Sequence, residues 1–375
     1  MRKIWAALAR EAGCRYVVFT TKHHDGFSLH DSDVGTFHAG AVLGRDLVRE
    51  IVDSLRAESL KIGFYHSLID WHHDQYEYNR SRFLPHPLRG RPYPNGERDH
   101  TIYQDYLHAQ VEELASRYGT VDIFWWDYSA VDFQGEEAWR SFELIERVRK
   151  HQPRVLMNNR LFRTPEAGWR GSRVQEFVMQ LDRRYGDFVT PEQHIPATGV
   201  PGLAWEVCMT MNTTWGFSEH DHAWKSTRTL LHNLVDIVSK GGNYLLNIGP
   251  KADGTVPEAS VQRMQEIGAW MAVNSEAIYG TQASPFAETP WGRCTRKELG
   301  EDRERLYFHV FDWNVREGAL SMPVPGMQGS IDGVRLLGSD AEVTARLDGE
   351  TLLVEGLPAD PVHRYISVIA LDLAL

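Results

Sequence analysis

TIYQDYLHAQVEELASRYGTVDIFWWD, residues 101–127, is the stretch whose reading decides the fold. In its first part Leu107, Val111, Leu114 and Tyr118 fall at i, i+4, i+7 and i+11, the spacing of a helix with one buried face. The run VDIFWWD (121–127) that follows reads as a strand. The same alternation extends in both directions. Strand-type runs occur at 15–20 (RYVVFT), 61–67 (KIGFYHS), 154–160 (RVLMNNR), 205–210 (WEVCMT) and 243–248 (NYLLNI), with a weaker one at 174–180 (VQEFVMQ). Helical stretches lie between them, at 46–60 and at 223–240, the latter stopping at Gly241-Gly242 as helix C-termini often do. Strands buried on both faces, each followed by a helix, define a parallel α/β fold. Long loops after the strands favour a (β/α)8-type barrel over an open doubly wound sheet.

The count leaves a gap. The chain opens on a helix, with Ile4, Leu8 and Ala12 on one side, so the first strand of a standard barrel has no candidate. The expectation is a (β/α)8-like barrel over residues 1–284, N-terminally incomplete, then a small antiparallel β-sandwich over 285–375. That last region shows short alternating runs such as 306–311 and 365–371, with turn signals at Asp332-Gly333 and Asp348-Gly349. An exposed barrel edge favours self-association into a homo-oligomer.

Composition narrows the function classes. Hydrophobic residues make up 42% and charged residues 24% of the 375, which excludes a disordered chain, a collagen-like repeat and a coiled coil. A net charge of −11 disfavours nucleic acid, which is bound by clustered Lys and Arg, and anionic membranes. No apolar run is long enough for a transmembrane helix. Three widely spaced cysteines (Cys14, Cys208, Cys294) imply neither a disulfide framework nor a zinc ribbon. The basic start resembles a signal peptide, but its apolar run breaks at Arg10-Glu11, too early for a secretory core. A cytoplasmic protein is expected. The 12 Trp, 14 Tyr and 15 Phe, with 17 His, point to a pocket that stacks on and hydrogen-bonds a polar ligand.

In such a barrel the active residues sit at the C-terminal strand ends. Those positions carry Lys22-His23-His24-Asp25-Gly26-Phe27, then Tyr65 and His66 with Asp70-Trp71-His72-His73, then Trp125-Trp126-Asp127 and Asn158-Asn159-Arg160. Alternation along the strand puts Trp125 and Asp127 on one face and Phe124 and Trp126 on the other. A carboxylate walled by aromatics suits a nucleophilic or oxocarbenium-stabilising role; the plainer alternative is a helix cap or loop ion pair. Glycoside hydrolysis needs a second carboxyl group. Glu192 and Glu206 are the candidates, against the plainer roles of helix start and strand anchor. The His23-His24 and His72-His73 pairs invite a metal reading, yet neither pair has HxH or HExxH spacing. Hydrogen bonds from histidines to sugar hydroxyls fit the aromatic surroundings equally well. Gly249-Pro250-Lys251-Ala252-Asp253-Gly254 lacks the ending of a phosphate loop and reads as a tight loop.

Several long motifs, in order, resemble the α-L-fucosidases of glycoside hydrolase family 29: KHHDGF (22–27), GFYHSLIDWHH (63–73), WWD (125–127), DFVTPEQ (187–193), WEVCMTMNTTWGF (205–217), VDIVSKGGNYLLNIGPKADGTVP (235–257) and NSEAIYGT (274–281). The resemblance spans residues 1 to about 285 and is looser beyond. It implies a retaining exo-hydrolase of terminal α-linked L-fucose, acting on fucosylated oligosaccharides or glycoconjugates without metal or other cofactor. Asp127 aligns with the family nucleophile, and Glu192 in Thr-Pro-Glu with the acid/base of bacterial members, Glu206 being second choice. His23, His24, Trp125 and Arg160 match sugar contacts, and Trp215 the aromatic that packs on the C6 methyl. Tyr65 and His66 occupy the Tyr-Tyr of the family's Gly-x-Tyr-Tyr-Ser, so the second hydroxyl is replaced by an imidazole. The family's first strand, ending in Phe-x-His-Trp-Gly with another fucose-binding His, has no counterpart here. A lost buried hydrogen bond costs on the order of 1–3 kcal/mol, which would weaken turnover. Two other readings stand beside this one: a weakly active or non-catalytic fucose-binding barrel, and a metal-dependent hydrolase using His23, His24, His72 and His73.

Overall fold

A computed structural model describes residues 2–162, 184–287 and 289–375. The chain divides into two compact units, residues 1–10 with 14–190 and residues 11–13 with 191–375. The strand expected at 174–180 lies outside the described residues.

The opening helix α1 (Arg2–Glu11) buries Ala6, Leu8 and Ala9. Ile4, expected on that buried side, is 60% exposed, so the inward stripe is made of smaller residues than its spacing suggests. In the first unit there follow β1 (Tyr16–Lys22), α2 (Ala39–Leu43), α3 (Leu47–Ala57), β2 (Lys61–Ser67), α4 (His100–Arg117), β3 (Ile123–Asp127), α5 (Gly135–Trp139), α6 (Ser141–His151) and β4 (Leu156–Met157). The strands form one parallel sheet in the order β1-β2-β3-β4. Val48, Ile51, Val52 and Leu55 of α3 pack in one core with Leu107, Val111 and Leu114 of α4, Leu144, Ile145 and Val148 of α6, and the strand residues Phe64, Phe124, Trp126 and Met157. Each such aliphatic side chain contributes about 1.5–3 kcal/mol of burial. Asp46 and Asp99 cap α3 and α4 by accepting from Arg49 N and Thr101 N, which satisfies otherwise unpaired helix-start donors.

Phe124 and Trp126 therefore face the helices, and Trp125 and Asp127 face the other way. Register carries this across the sheet: Tyr65 pairs with Trp125, and Ser67 with Asp127. The strand expected at 154–160 shortens to two residues. Beyond it the Asn158 side chain replaces the backbone ladder, accepting from Trp126 N (3.0 Å) and donating to Trp126 O (3.0 Å).

In the second unit β5 (Glu206–Thr210) and β6 (Asn243–Asn247) pair in parallel, with α7 (Thr227–Ser239) and α8 (Glu258–Asn274) following them. α7 starts later than its periodicity suggests because Ser226 caps it through Thr229 N. Seven antiparallel strands complete the unit: β7 (Gly292–Gly300), β8 (Arg303–Val310), β9 (Ala319–Pro323), β10 (Ser330–Leu336), β11 (Thr344–Asp348), β12 (Thr351–Glu355) and β13 (Ser367–Ala374). They form sheets ordered β10-β13-β8-β7 and β11-β12-β9. Phe308, Leu336 and Leu371 of one share a core with Leu320, Met322 and Leu352 of the other. Asp348-Gly349 makes the β11–β12 turn, with Gly349 at φ +60°. Asp332-Gly333 instead lies inside β10, where the register slips; the glycine serves a bulge there rather than a turn. No described helix is long and apolar enough to cross a membrane.

Burial holds several histidines neutral. It pushes His309 down to about 3, and His24 and His100 down to about 4, from an ordinary 6.5. The unfolded chain binds these protons more readily, so their stabilisation is full above about pH 6.5 and is lost as pH falls toward 4. The thermal unfolding midpoint should fall steadily between about pH 6.5 and 4.5, and less steeply in His309→Gln. A midpoint flat across that window would contradict this picture.

Candidate active site

The C-terminal end of β3 places Asp127 between polar partners from β2 and from the segment beyond β4. Arg160 Nη1 donates to Asp127 Oδ1 (2.7 Å), and the Tyr65 hydroxyl donates to Oδ2 (2.8 Å). Arg160 is itself fixed, with Nε donating to Thr190 Oγ1 (2.7 Å) and its guanidinium 4.4 Å from the Trp125 ring centre. Tyr65 stacks between Trp125 (5.6 Å) and His23 (5.7 Å). One donor per oxygen sets the carboxylate's rotation and leaves lone pairs available for an electrophile. Burial and the Asp127 charge raise the Tyr65 phenol well above its ordinary value, so it remains a donor.

The residue after Asp127 is held in an unusual conformation. Tyr128 has φ +74°, a left-handed value that costs a bulky residue about 1–3 kcal/mol. Its ring meets His24 edge-on at 4.3 Å. Nothing in the sequence singles it out.

His23 and His24 do not point apart as neighbours on a strand would. β1 ends at Lys22 with a register shift beyond Thr20, and the two imidazoles lie 3.5 Å apart in the loop beyond. Desolvation lowers both pKa values, so both rings are neutral near pH 7. The Ser67 hydroxyl donates to Ile69 O (3.1 Å), so at 3.3 Å His24 Nδ1 is the donor to Ser67 Oγ. That leaves His24 Nε2 as an acceptor, suited to a sugar hydroxyl.

Behind them a buried ion pair ties this loop to the one after β2. Lys22 Nζ meets Asp70 Oδ2 at 3.2 Å, with both side chains almost wholly inaccessible. Asp70 Oδ1 accepts from His72 N (2.9 Å) and His73 N (2.8 Å). Burial opposes the Asp70 charge, but Lys22 and those two amides outweigh it and hold the carboxyl below its usual range. Gly26, at φ +87°, completes the fit: a Cβ there would lie 2.3 Å from Asp70 Oδ1.

His66 is set apart. It lies on the opposite face of β2 from Tyr65, wholly buried, with Nδ1 2.9 Å from Thr21 Oγ1. Strand alternation is the cause. The His66 ring thus presents no accessible surface, unlike Tyr65 on the other face of the strand. His72 stacks on Phe37 (3.9 Å) and His73 lies against Tyr106 (4.5 Å). Among the described residues no group of three or more His, Cys, Asp or Glu is arranged to hold a metal.

The second unit holds the remaining candidates. Pro191 to Gln193 runs beside β5: Cys208 N donates to Pro191 O (3.2 Å) and Gln193 N to Cys208 O (3.0 Å). This places Glu192 opposite Cys208, with its side chain exposed. Glu206 opens β5 and is 3% exposed. Trp215 is 39% exposed in the loop after β5. That loop is pinned by Asp221, whose Oδ2 accepts from the amides of Thr213 (2.9 Å) and Thr214 (3.0 Å), and by Lys225, which donates to Thr210 O (2.6 Å) and Asn212 O (3.0 Å).

Neutral imidazoles, stacked aromatics and an arginine-held carboxylate beyond the ends of parallel strands are groups suited to carbohydrate chemistry. The comparison with known proteins makes the class specific. The family described as Alpha-L-fucosidase matches residues 2–276, and the chain belongs to that family. An alpha-L-fucosidase of Dictyostelium discoideum is 29% identical over 296 residues, 76% of this chain and 56% of that protein. The chain thus spans little more than half of that relative's length. Among solved structures, alpha-L-fucosidase isoenzyme 1 from Paenibacillus thiaminolyticus superposes with a TM-score of 0.85 at 38% identity, covering 100% of this chain and 86% of that one. A Bacteroides thetaiotaomicron GH29 alpha-L-fucosidase, a covalent intermediate trapped with 2-fluoro-fucosyl fluoride in a glutamate-to-glutamine mutant, superposes with a TM-score of 0.79 at 25% identity. It covers 100% of this chain and 82% of that one.

Breaking the buried pair should be costly. Lys22→Met leaves the Asp70 charge unpaired and is expected to destabilise the protein by about 3–5 kcal/mol in denaturant unfolding. A loss under about 1 kcal/mol would mean that the pair does not hold these loops.

Proposed function

We propose that the chain is a retaining exo-α-L-fucosidase acting on terminal α-linked L-fucose of oligosaccharides or glycoconjugates. Family membership supports the substrate class. The observation that carries the reading is the Asp127 carboxylate, held by Arg160 and Tyr65 beside the neutral His23-His24 pair. Asp127 attacks the anomeric carbon as the glycosidic bond breaks, and Glu192 gives its proton to the departing oxygen. Glu192 then takes a proton from water; the resulting nucleophile displaces Asp127 and releases fucose, returning both groups to their starting states. His23, His24, Tyr65, Trp125 and Arg160 bind the sugar, and Trp215 packs on its methyl group. Glu192 is preferred to Glu206 because it is exposed and can exchange protons with solvent. Glu206 lies buried at the N-terminal end of a parallel strand, the end away from where such folds place their chemistry. The parallel strands are read as parts of one (β/α)8-type barrel, a reading supported by similarity to fucosidase structures over the full chain.

Turnover of an aryl α-L-fucoside by Asp127→Gly should drop by roughly three orders of magnitude or more, with azide restoring part of it as the fucosyl azide. Near-normal turnover would remove Asp127 from the role. Glu192→Gln should slow a fucosyl disaccharide far more than a fucoside with an acidic phenol leaving group, since only the former needs full protonation. If Glu206→Gln shows that contrast and Glu192→Gln does not, the two glutamates exchange roles.

A further inference from the structure

We propose that Trp71 is the stacking platform of the leaving-group subsite, the surface that receives the flat face of a pyranose or aryl aglycone; this rests on the fucosidase reading above. The indole is fixed at two points. Its backbone N donates to His24 O (2.7 Å), and its Nε1 donates to Pro85 O (2.9 Å). It directly follows Asp70, which the Lys22 ion pair and the His72 and His73 amides hold in place. A tryptophan so constrained would ordinarily be covered, yet Trp71 is 36% exposed. With the ring N–H already used, what it offers a ligand is its apolar face.

Position decides which part of a substrate meets that face. The Trp71 ring lies 5.2 Å from the His24 ring, and His24 is 8% exposed. The Asp127 side chain is 14% exposed. A monosaccharide held by these groups sits in the enclosed, polar part of the site. Trp71 borders the same imidazole on a more open side, where a group larger than one sugar extends toward solvent. A rigid, pre-placed aromatic loses little freedom on contact, so stacking there translates into affinity.

The experiment compares wild type, Trp71→Ala and Trp71→Phe on α-L-fucosyl fluoride, whose leaving group is a single atom, and on an aryl fucoside and a fucosyl disaccharide. In Trp71→Ala the ratio of kcat/KM on the two larger substrates to that on fucosyl fluoride should fall about tenfold, chiefly through KM, the size of one aromatic contact. Trp71→Phe should restore most of that ratio. An unchanged ratio overturns the subsite, whether activity falls equally on all three substrates or on none. Active wild type with an unchanged ratio leaves the fucosidase reading standing, whereas a wild type silent toward fucosyl fluoride overturns both.

Discussion

Everything chemical in the first unit depends on one carboxylate being held in one orientation. Asp127 has a donor on each oxygen, Arg160 on one side and Tyr65 on the other. Those donors come from the strands and loops flanking β3, so the parallel register of β2 and β3 is a precondition for the clamp. A one-residue slip in either strand would turn Tyr65 or Asp127 to the opposite face. The core prevents that slip. Phe124 and Trp126 are buried against α3, α4 and α6, and reversing the faces would expose two large aromatics.

The imidazoles beside that carboxylate are neutral rather than charged. Desolvation keeps His23 and His24 neutral, and with Nδ1 donating to Ser67 the His24 ring keeps Nε2 as an acceptor. The ordering of those rings is itself built from further polar contacts, the Ser67 hydroxyl beneath His24 and the Lys22–Asp70 pair behind the loop. Tyr128 stores backbone strain at the same place, held in the left-handed region with its ring against His24. Such strain persists where the surrounding structure over-determines it.

Strand and helix positions were legible because burial imposes period: the 61–67 run is β2 residue for residue, and the 101–118 spacing is α4 within one position. Ends were less legible where a side chain takes over from backbone, as Asn158 does beyond β4 and Ser226 does at the start of α7. Gly333 shows the ambiguity of a turn signal, since a bulge asks for the same residue. At the site, Asp127, Trp125 and Tyr65 follow from alternation along strands. The same rule, applied to His66, sends it away from them. The Lys22–Asp70 pair has no local signal at all, because its partners are 48 residues apart and meet only through the fold.

The most direct test of this account is the site of covalent attachment. Incubating the protein with 2-fluoro-α-L-fucosyl fluoride, then digesting and sequencing the labelled peptide by mass spectrometry, should place a single 2-fluorofucosyl group on Asp127. A label on any other residue, or none on a preparation that hydrolyses fucosides, would contradict the central claim.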